Sequence, residues 1–285
     1  MHEPELELIC FTDPYCSWCW ATEPVLYRLR ETYRDQIALR YVMGGLVRDM
    51  ADFFDNGNGI RATAQVAPHW REVSQRTGQP IDERLMEDIS DPHFSTWPAC
   101  IAAKAAQLQS DVVGDAYLRR IRRAALTERK LISDRLVYSA LAEETRGLDV
   151  AAFHRALADG SAKRAFEEDL AECAQYGATG FPTILLRAGD QSQLANGYRP
   201  FKAYQQAIRE LAGPLTNHAP RQTEPMLADF GPMTTRELAE VYGQSAQEQR
   251  AELEQLRAAA RVRRLPVRSG ELWAIGQSPS SSPSS

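Results

Sequence analysis

The sequence is short of several things, and each shortage removes a class of function. It contains no run of 18 apolar residues, so no membrane-crossing helix is expected. It has no surplus of positive charge: 33 Lys and Arg stand against 38 Asp and Glu, a net charge of −5. Bulk electrostatics therefore points neither to nucleic acid nor to an anionic membrane surface. The first residues, Met1-His2-Glu3-Pro4-Glu5, are acidic and carry no apolar stretch. No signal peptide is expected, and the expected location is the cytoplasm. The five histidines show no ligand-like pairing, and Cys-x-x-Cys occurs once. A zinc site would need a second half, so no metal or nucleotide cofactor is expected. Cysteine itself is scarce, with five in 285 residues. In a reducing compartment these should stay mostly reduced, and a Cys16–Cys19 disulfide would be transient.

What is present centres on Phe11-Thr12-Asp13-Pro14-Tyr15-Cys16-Ser17-Trp18-Cys19-Trp20. Before it, Glu5 to Phe11 alternates and then runs apolar, the pattern of a strand entering a buried sheet. After it, Leu26, Leu29 and Tyr33 recur at helical spacing. The dithiol thus sits where a strand hands over to a helix. The first turn of a helix offers unpaired N–H groups and the positive end of its dipole. A thiol held there ionises more easily, and the thiolate is the nucleophile. Cys16 is therefore expected to be the accessible, acidic thiol and Cys19 the buried one that resolves a mixed disulfide. A purely structural disulfide is the competing reading, but so small a loop stabilises little. Cys10, Cys100 and Cys173 are isolated, and small buried hydrophobes are the expected role of Cys100 and Cys173.

Far downstream, Gly177-Ala178-Thr179-Gly180-Phe181-Pro182 precedes the apolar run Thr183-Ile184-Leu185-Leu186. Proline is tolerated at the first residue of a strand, and an X-Pro bond there can be cis. With this segment, Cys16, Cys19 and Pro24, the chain resembles the DsbA family of the thioredoxin superfamily. The resemblance covers residues 5 to 212. It implies an α/β, thioredoxin-like fold with an all-helical insertion, and a cis-proline loop beside the dithiol. It implies catalytic roles for Cys16, Cys19 and Pro182, and substrate contacts from Trp18, Phe181, Thr179 and Pro14. The layout is most similar to the cytoplasmic branch that includes the ClpXP adaptor of Gram-positive bacteria.

Read in order, residues 1–63 and 177–213 should form the thioredoxin-like domain, interrupted by a helical insertion over 64–176. Strands are expected over 36–44, 182–187 and 193–197. In the insertion His69, Trp70, His93 and Trp97 stand out; core packing is expected of Trp97. Residues 214–232 hold four prolines, a Gly-Pro and an Asn-His, and read as a linker. A module over 233–276 follows, with a capping box at Thr234-Thr235-Arg236-Glu237, a stop at Gly243, a second helix after Ser245 and a hairpin around Arg268-Ser269-Gly270. Helix, turn, helix and hairpin resemble a winged-helix fragment. Seven arginines and six glutamates between Met233 and Gly276 leave little positive field, so a protein contact is expected rather than DNA. Residues 277–285, rich in serine and proline, should be a disordered tail.

Two departures from the family shape the expected function. Ser17-Trp18, rather than Pro-His, separates the cysteines, and Cys10 stands six residues before Cys16, where relatives keep a buried carboxylate. A less oxidising pair is implied, with no proton relay by that route; Asp13 is expected to cap the loop. Cys16 itself argues against the kappa-class glutathione transferases, which place serine there. The resulting expectation is a thiol–disulfide oxidoreductase acting on protein or peptide disulfides. Its alternative is a protease adaptor or binding protein that holds a redox regulator.

Overall fold

The computed structural model describes residues 4–276. The proposed tail over 277–285 lies outside the described residues. The chain begins with β1 (Leu6–Thr12), α1 (Ser17–Tyr33) and β2 (Ile37–Met43). After a long irregular segment come α2 (Thr63–Thr77), α3 (Arg84–Asp88), α4 (Trp97–Gln107), α5 (Asp111–Glu128), α6 (Arg135–Glu143), α7 (Val150–Ala158) and α8 (Ser161–Gln175). Then β3 (Thr183–Ala188), β4 (Gln191–Asn196) and α9 (Phe201–Ala212) return to the sheet. Strand order is β2-β1-β3-β4. β1 runs parallel to β2 and antiparallel to β3, with Cys10 opposite Tyr41 on one side and Ile184 on the other. This is the α/β, thioredoxin-like arrangement, with an insertion in which the described elements are all helices.

The two faces of β1 divide the core by simple alternation. Leu6, Leu8 and Cys10 face the large core shared with α1 and the insertion, while Ile9 and Phe11 face a smaller one with Cys173, Ala178 and Leu185. In α4, Ala99, Ala102, Ala103, Ala105 and Ala106 are all fully buried. Five small side chains let this helix lie close to α5 and α8, so the insertion packs directly on the sheet domain. Asp134 caps α6 by accepting from the backbone of Leu136 and Val137, which is the role its position suggests.

The stretch read as a linker is structured. Its first part is strapped to the end of α1 and the turn after it: His218 donates to the Thr32 carbonyl at 2.8 Å, and Thr216 exchanges two hydrogen bonds with the Gln36 amide. Its second part forms α10 (Thr223–Phe230). Pro225 hid this helix; proline reads as a breaker, yet it is tolerated in a first turn, where its missing N–H has no intrahelical partner. Next come β5 (Met233–Thr234), α11 (Thr235–Tyr242), α12 (Ala246–Ala258), β6 (Val262–Val267) and β7 (Gly270–Ile275). These strands form a second sheet in the order β5-β7-β6. The expected capping box is present at Thr234/Glu237, Ser245 caps the second helix in a further box with Glu248, and Gly243 ends α11 in the left-handed conformation.

The core of this module consists of Met226, Leu227, Met233, Leu238, Val241, Leu253, Val262 and Trp273, and it includes Tyr27 from α1. Polar contacts reinforce the junction. Arg119 of α5 donates to Glu237 at 2.9 and 3.1 Å and to the Tyr27 hydroxyl at 2.8 Å. Gln79 accepts from Thr234 at 2.8 Å, and Ser269 exchanges two hydrogen bonds with the Ile81 backbone. The module is thus docked on the helix that carries the dithiol.

Candidate active site

Cys16 is the N-cap of α1. Its backbone is extended, and its sulfur accepts the Cys19 N–H at 3.3 Å. Asp13 shapes the turn before it. One carboxylate oxygen accepts the Tyr15 N–H at 2.8 Å; the other accepts the Leu46 N–H at 2.8 Å, the Thr96 hydroxyl at 2.7 Å and the Cys100 thiol at 3.4 Å. Asp13 therefore joins the dithiol turn to the segment after β2 and to the insertion. Burial pushes its carboxyl above the ordinary range, against the pull of those bonds.

The Phe181–Pro182 peptide is cis. It brings the Phe181 carbonyl to 3.3 Å from the Cys16 sulfur, which donates to it. The ring of Phe181 lies over Gly44 at the end of β2. A Cβ built there would stand 1.8 Å from the ring, so this position admits hydrogen alone.

A cavity of about 720 Å³ opens beside Cys16. Trp18, Thr179 and Phe181 line it together with Cys16; Pro14, Cys19 and Pro182 do not. Pro14 is buried in the turn behind the sulfur, away from any ligand in the cavity. Much of the opposite wall was not marked by any motif. Leu46, Met50, Phe53 and Phe54 come from the irregular segment after β2, Val66, His69 and Trp70 from α2, and Phe94 from the turn before α4. Trp18 packs edge-on against His69 and lies under the Arg76 guanidinium. Burial lowers the His69 pKa, which leaves that imidazole neutral at pH 7. Trp97 is packed against Phe166 and bonded to the Gly45 carbonyl, outside the cavity. His93 is exposed and paired with Asp49.

The electrostatics of the pair differ from the expectation. Both thiols are buried, Cys16 at 6% and Cys19 at 2% exposure, so neither is freely accessible. Burial pushes the Cys16 thiol well up, and charge on Cys19 adds to this. Burial also opposes ionisation of Cys19, and the neighbouring Cys16 thiol, the Arg122 guanidinium, the Thr12 hydroxyl and the backbone at Asp13 pull the other way. The two thiols form one coupled pair, and the Arg122 cation from the insertion acts on its Cys19 side. The thiols of Cys10 and Cys100 are also driven up by burial, and Cys173 is pushed up to about 12. All five cysteines are free thiols. Among the described residues no group of His, Cys, Asp and Glu is placed to hold a metal ion.

Residues 9–206 match the family model described as "Thioredoxin", and residues 226–277 match one described as "FaeA-like protein". The chain is 27% identical to the ClpXP adapter protein SpxH of Bacillus subtilis over 274 residues, covering 94% of this chain and 88% of that one. The SpxH of Shouchella clausii is 28% identical over 273 residues, with the same shares covered. Among solved structures, the cytosolic disulfide reductase DsbM of Pseudomonas aeruginosa superposes with a TM-score of 0.53 at 26% identity, covering 67% of this chain and 89% of that one. A Nitrosomonas europaea structure, described provisionally as a protein disulfide isomerase, gives a TM-score of 0.60 at 26% identity over 72% of this chain and 97% of its own.

Proposed function

The chain belongs to the thioredoxin family, and from that premise we propose that it is an adaptor-type binding protein, which delivers a protein partner to a ClpXP-type protease. One observation carries this reading. The similarity to the adapters named SpxH runs over 94% of the chain, so it takes in the docked module. The cavity beside Cys16 suits an apolar, extended segment of the partner: Met50, Phe53, Phe54 and Trp70 supply the wall, and Trp18, Thr179 and Phe181 frame the sulfur. The module contributes a second protein contact. Its exposed helix α12 carries Glu248, Glu252 and Glu254, which disfavours phosphate backbones and so nucleic acid. A cytoplasmic setting follows from this reading, and no helix among the described residues is long and apolar enough to cross a membrane.

The second reading is a dithiol–disulfide oxidoreductase. The position of Cys16 favours it: this sulfur faces the cavity, Cys19 lies behind it, and the Phe181 carbonyl borders it at 3.3 Å. Cys16 would attack a protein or peptide disulfide, Cys19 would resolve the mixed species, and Pro182 would hold the partner strand in line. Pro14 would act only by holding the turn. A reconstituted assay separates the two. A partner is first trapped on Cys16 with Cys19→Ala and identified. It is then offered to ClpXP with and without the wild-type protein. Faster degradation supports the adaptor. No acceleration, together with catalytic turnover of the partner's disulfide by a dithiol reductant, replaces that reading with the enzyme.

A further inference from the structure

A second cavity, of about 620 Å³, shares no lining residue with the one beside Cys16. A face of α5 lines it from Val112 to Arg123, a run of about 16 Å. The turn from α10 to β5 lines it as well, through Phe230, Gly231 and Pro232. The cleft therefore lies between the insertion and the C-terminal module. Its volume is that of a small-molecule site, and no motif of the sequence points to it.

The charges that line it are unevenly matched. Arg30 is paired with Asp115, Glu23 with Arg122 and Asp229 with Arg221. Arg119 is committed to Glu237, the Tyr27 hydroxyl and the carbonyls of Phe230 and Pro232. Arg120 takes Glu128 at 2.9 Å and Glu144 at 2.7 Å. Arg123 is left with a share of Glu128, reached by its Nε at 3.1 Å, and Lys130 takes the same carboxylate at 3.3 Å. Arg120, Arg123 and Lys130 thus divide two carboxylates among three cations. Among the described residues the two terminal nitrogens of Arg123 have no acceptor, although its side chain is only 13% exposed. One of them would stand 3.6 Å from a Cβ built on Gly231, so the group reaches across the cleft. Burial pushes this guanidinium down to about 10, and the charge of Arg120 adds to that. It remains a cation at pH 7, enclosed and half-satisfied, which is costly unless an anion completes it. Water could fill the open donors but would leave the surplus positive charge.

We propose that this cleft binds a small anionic molecule, with a phosphate or carboxylate group on Arg123 and an apolar body against Phe230 and Tyr27. The two terminal nitrogens of a guanidinium match two oxygens of either group at once. The rings of Phe230 and Tyr27 lie 4.7 Å apart and give the body an aromatic wall. Because the ligand touches α5 and the α10–β5 turn together, its binding fastens the module to the insertion. This goes beyond both readings of the dithiol face and depends on neither.

The test follows thermal unfolding of the full chain as phenyl phosphate, phenylacetate, benzyl alcohol or inorganic phosphate is added. At least one of the two ring-bearing anions should raise the midpoint saturably, as a ligand of the folded state does, and benzyl alcohol should not. The stronger of the two anions tells a phosphate ligand from a carboxylate one. Arg123→Met should weaken that anion by about tenfold or more, and Arg123→Lys should recover part of the loss. Without any probe, Arg123→Met should unfold at or above the wild-type midpoint. It removes an under-compensated charge and leaves Glu128 to Arg120 and Lys130, whereas loss of a purely structural arginine would lower the midpoint. Four results overturn the proposal: no saturable shift with either ring-bearing anion, an equal shift in Arg123→Met, a shift matched by inorganic phosphate (an adventitious ion only), or a lowered probe-free midpoint in Arg123→Met.

Discussion

Arg119 and Glu237 meet in an enclosed ion pair, with Nη1 and Oε1 2.9 Å apart, and so join the insertion to the C-terminal module. Both side chains are buried, and each is fully engaged: Arg119 also serves the carbonyls of Phe230 and Pro232, and Glu237 accepts the Thr234 N–H of its own capping box. Burying two charges is worthwhile only when both stay paired.

Glu237→Ala should therefore lower stability by about 3–5 kcal/mol, because it leaves a buried guanidinium without its carboxylate. Urea unfolding measures this. The double replacement Arg119→Met with Glu237→Met should cost less than the sum of the single ones. Truncation after Gly213 should act in the same direction, since it also strips Tyr27 of the core around it. A truncated chain with an unchanged unfolding midpoint would show that the module is only tethered.

Gly44→Ala should disturb the site without touching either cysteine. A methyl group would meet the Phe181 ring at 1.8 Å, so the ring and the loop that holds Pro182 must move. The expected cost is about 1–3 kcal/mol. The contact between the Cys16 sulfur and the Phe181 carbonyl should loosen, and Cys16 should alkylate faster. Equal alkylation rates would mean that the loop does not shield the sulfur.

Phe54 offers a cleaner probe of the cavity. It is 43% exposed and lies under the Arg61 guanidinium at the cavity wall. Phe54→Ser should leave the unfolding midpoint nearly unchanged and weaken partner binding by about 1–2 kcal/mol, roughly tenfold. Calorimetry with the trapped partner checks it; full affinity in the variant would place the partner elsewhere.

Asp13 sets a sign for pH dependence. Its folded carboxyl titrates above the unfolded value of about 3.9. Such a group favours the fold most below the unfolded pKa, and that advantage is lost as pH rises through the folded one. The stability of wild type minus that of Asp13→Asn should thus fall with rising pH above about 4 and then level off. A difference that grows with pH would show that the hydrogen bonds to Thr96, Leu46 and Tyr15 outweigh the burial.

The parts of this protein legible in its sequence are those fixed by neighbours in the chain. β1 announces itself by alternation, and the capping boxes at Thr234 and Ser245 by residues three apart. The dithiol at a strand–helix junction is equally local. The meeting of Phe181 with Cys16 spans 165 positions and was available only through the family resemblance. No such guide existed for the wall formed by Met50, Phe53 and Phe54, because an irregular segment has no periodicity to betray which side is inward. Arg122 and Glu23 were illegible for a different reason. A charged residue on a helix reads as a solvated face, and only the tertiary pairing across 99 positions shows that both are enclosed. The same limit hid the burial of Cys16, since a helix terminus is visible in sequence and the segments that cover it are not.

On α1, Cys19, Glu23 and Tyr27 follow one another at intervals of one turn. They belong in succession to the dithiol, to the ion pair with Arg122, and to the hydrophobic centre of the module. A chimera that took this helix from one relative and the C-terminal module from another would have to match the Tyr27 ring as well as the linker. The unit that recombination can exchange without repair is therefore larger than either domain, and it includes the helix between them.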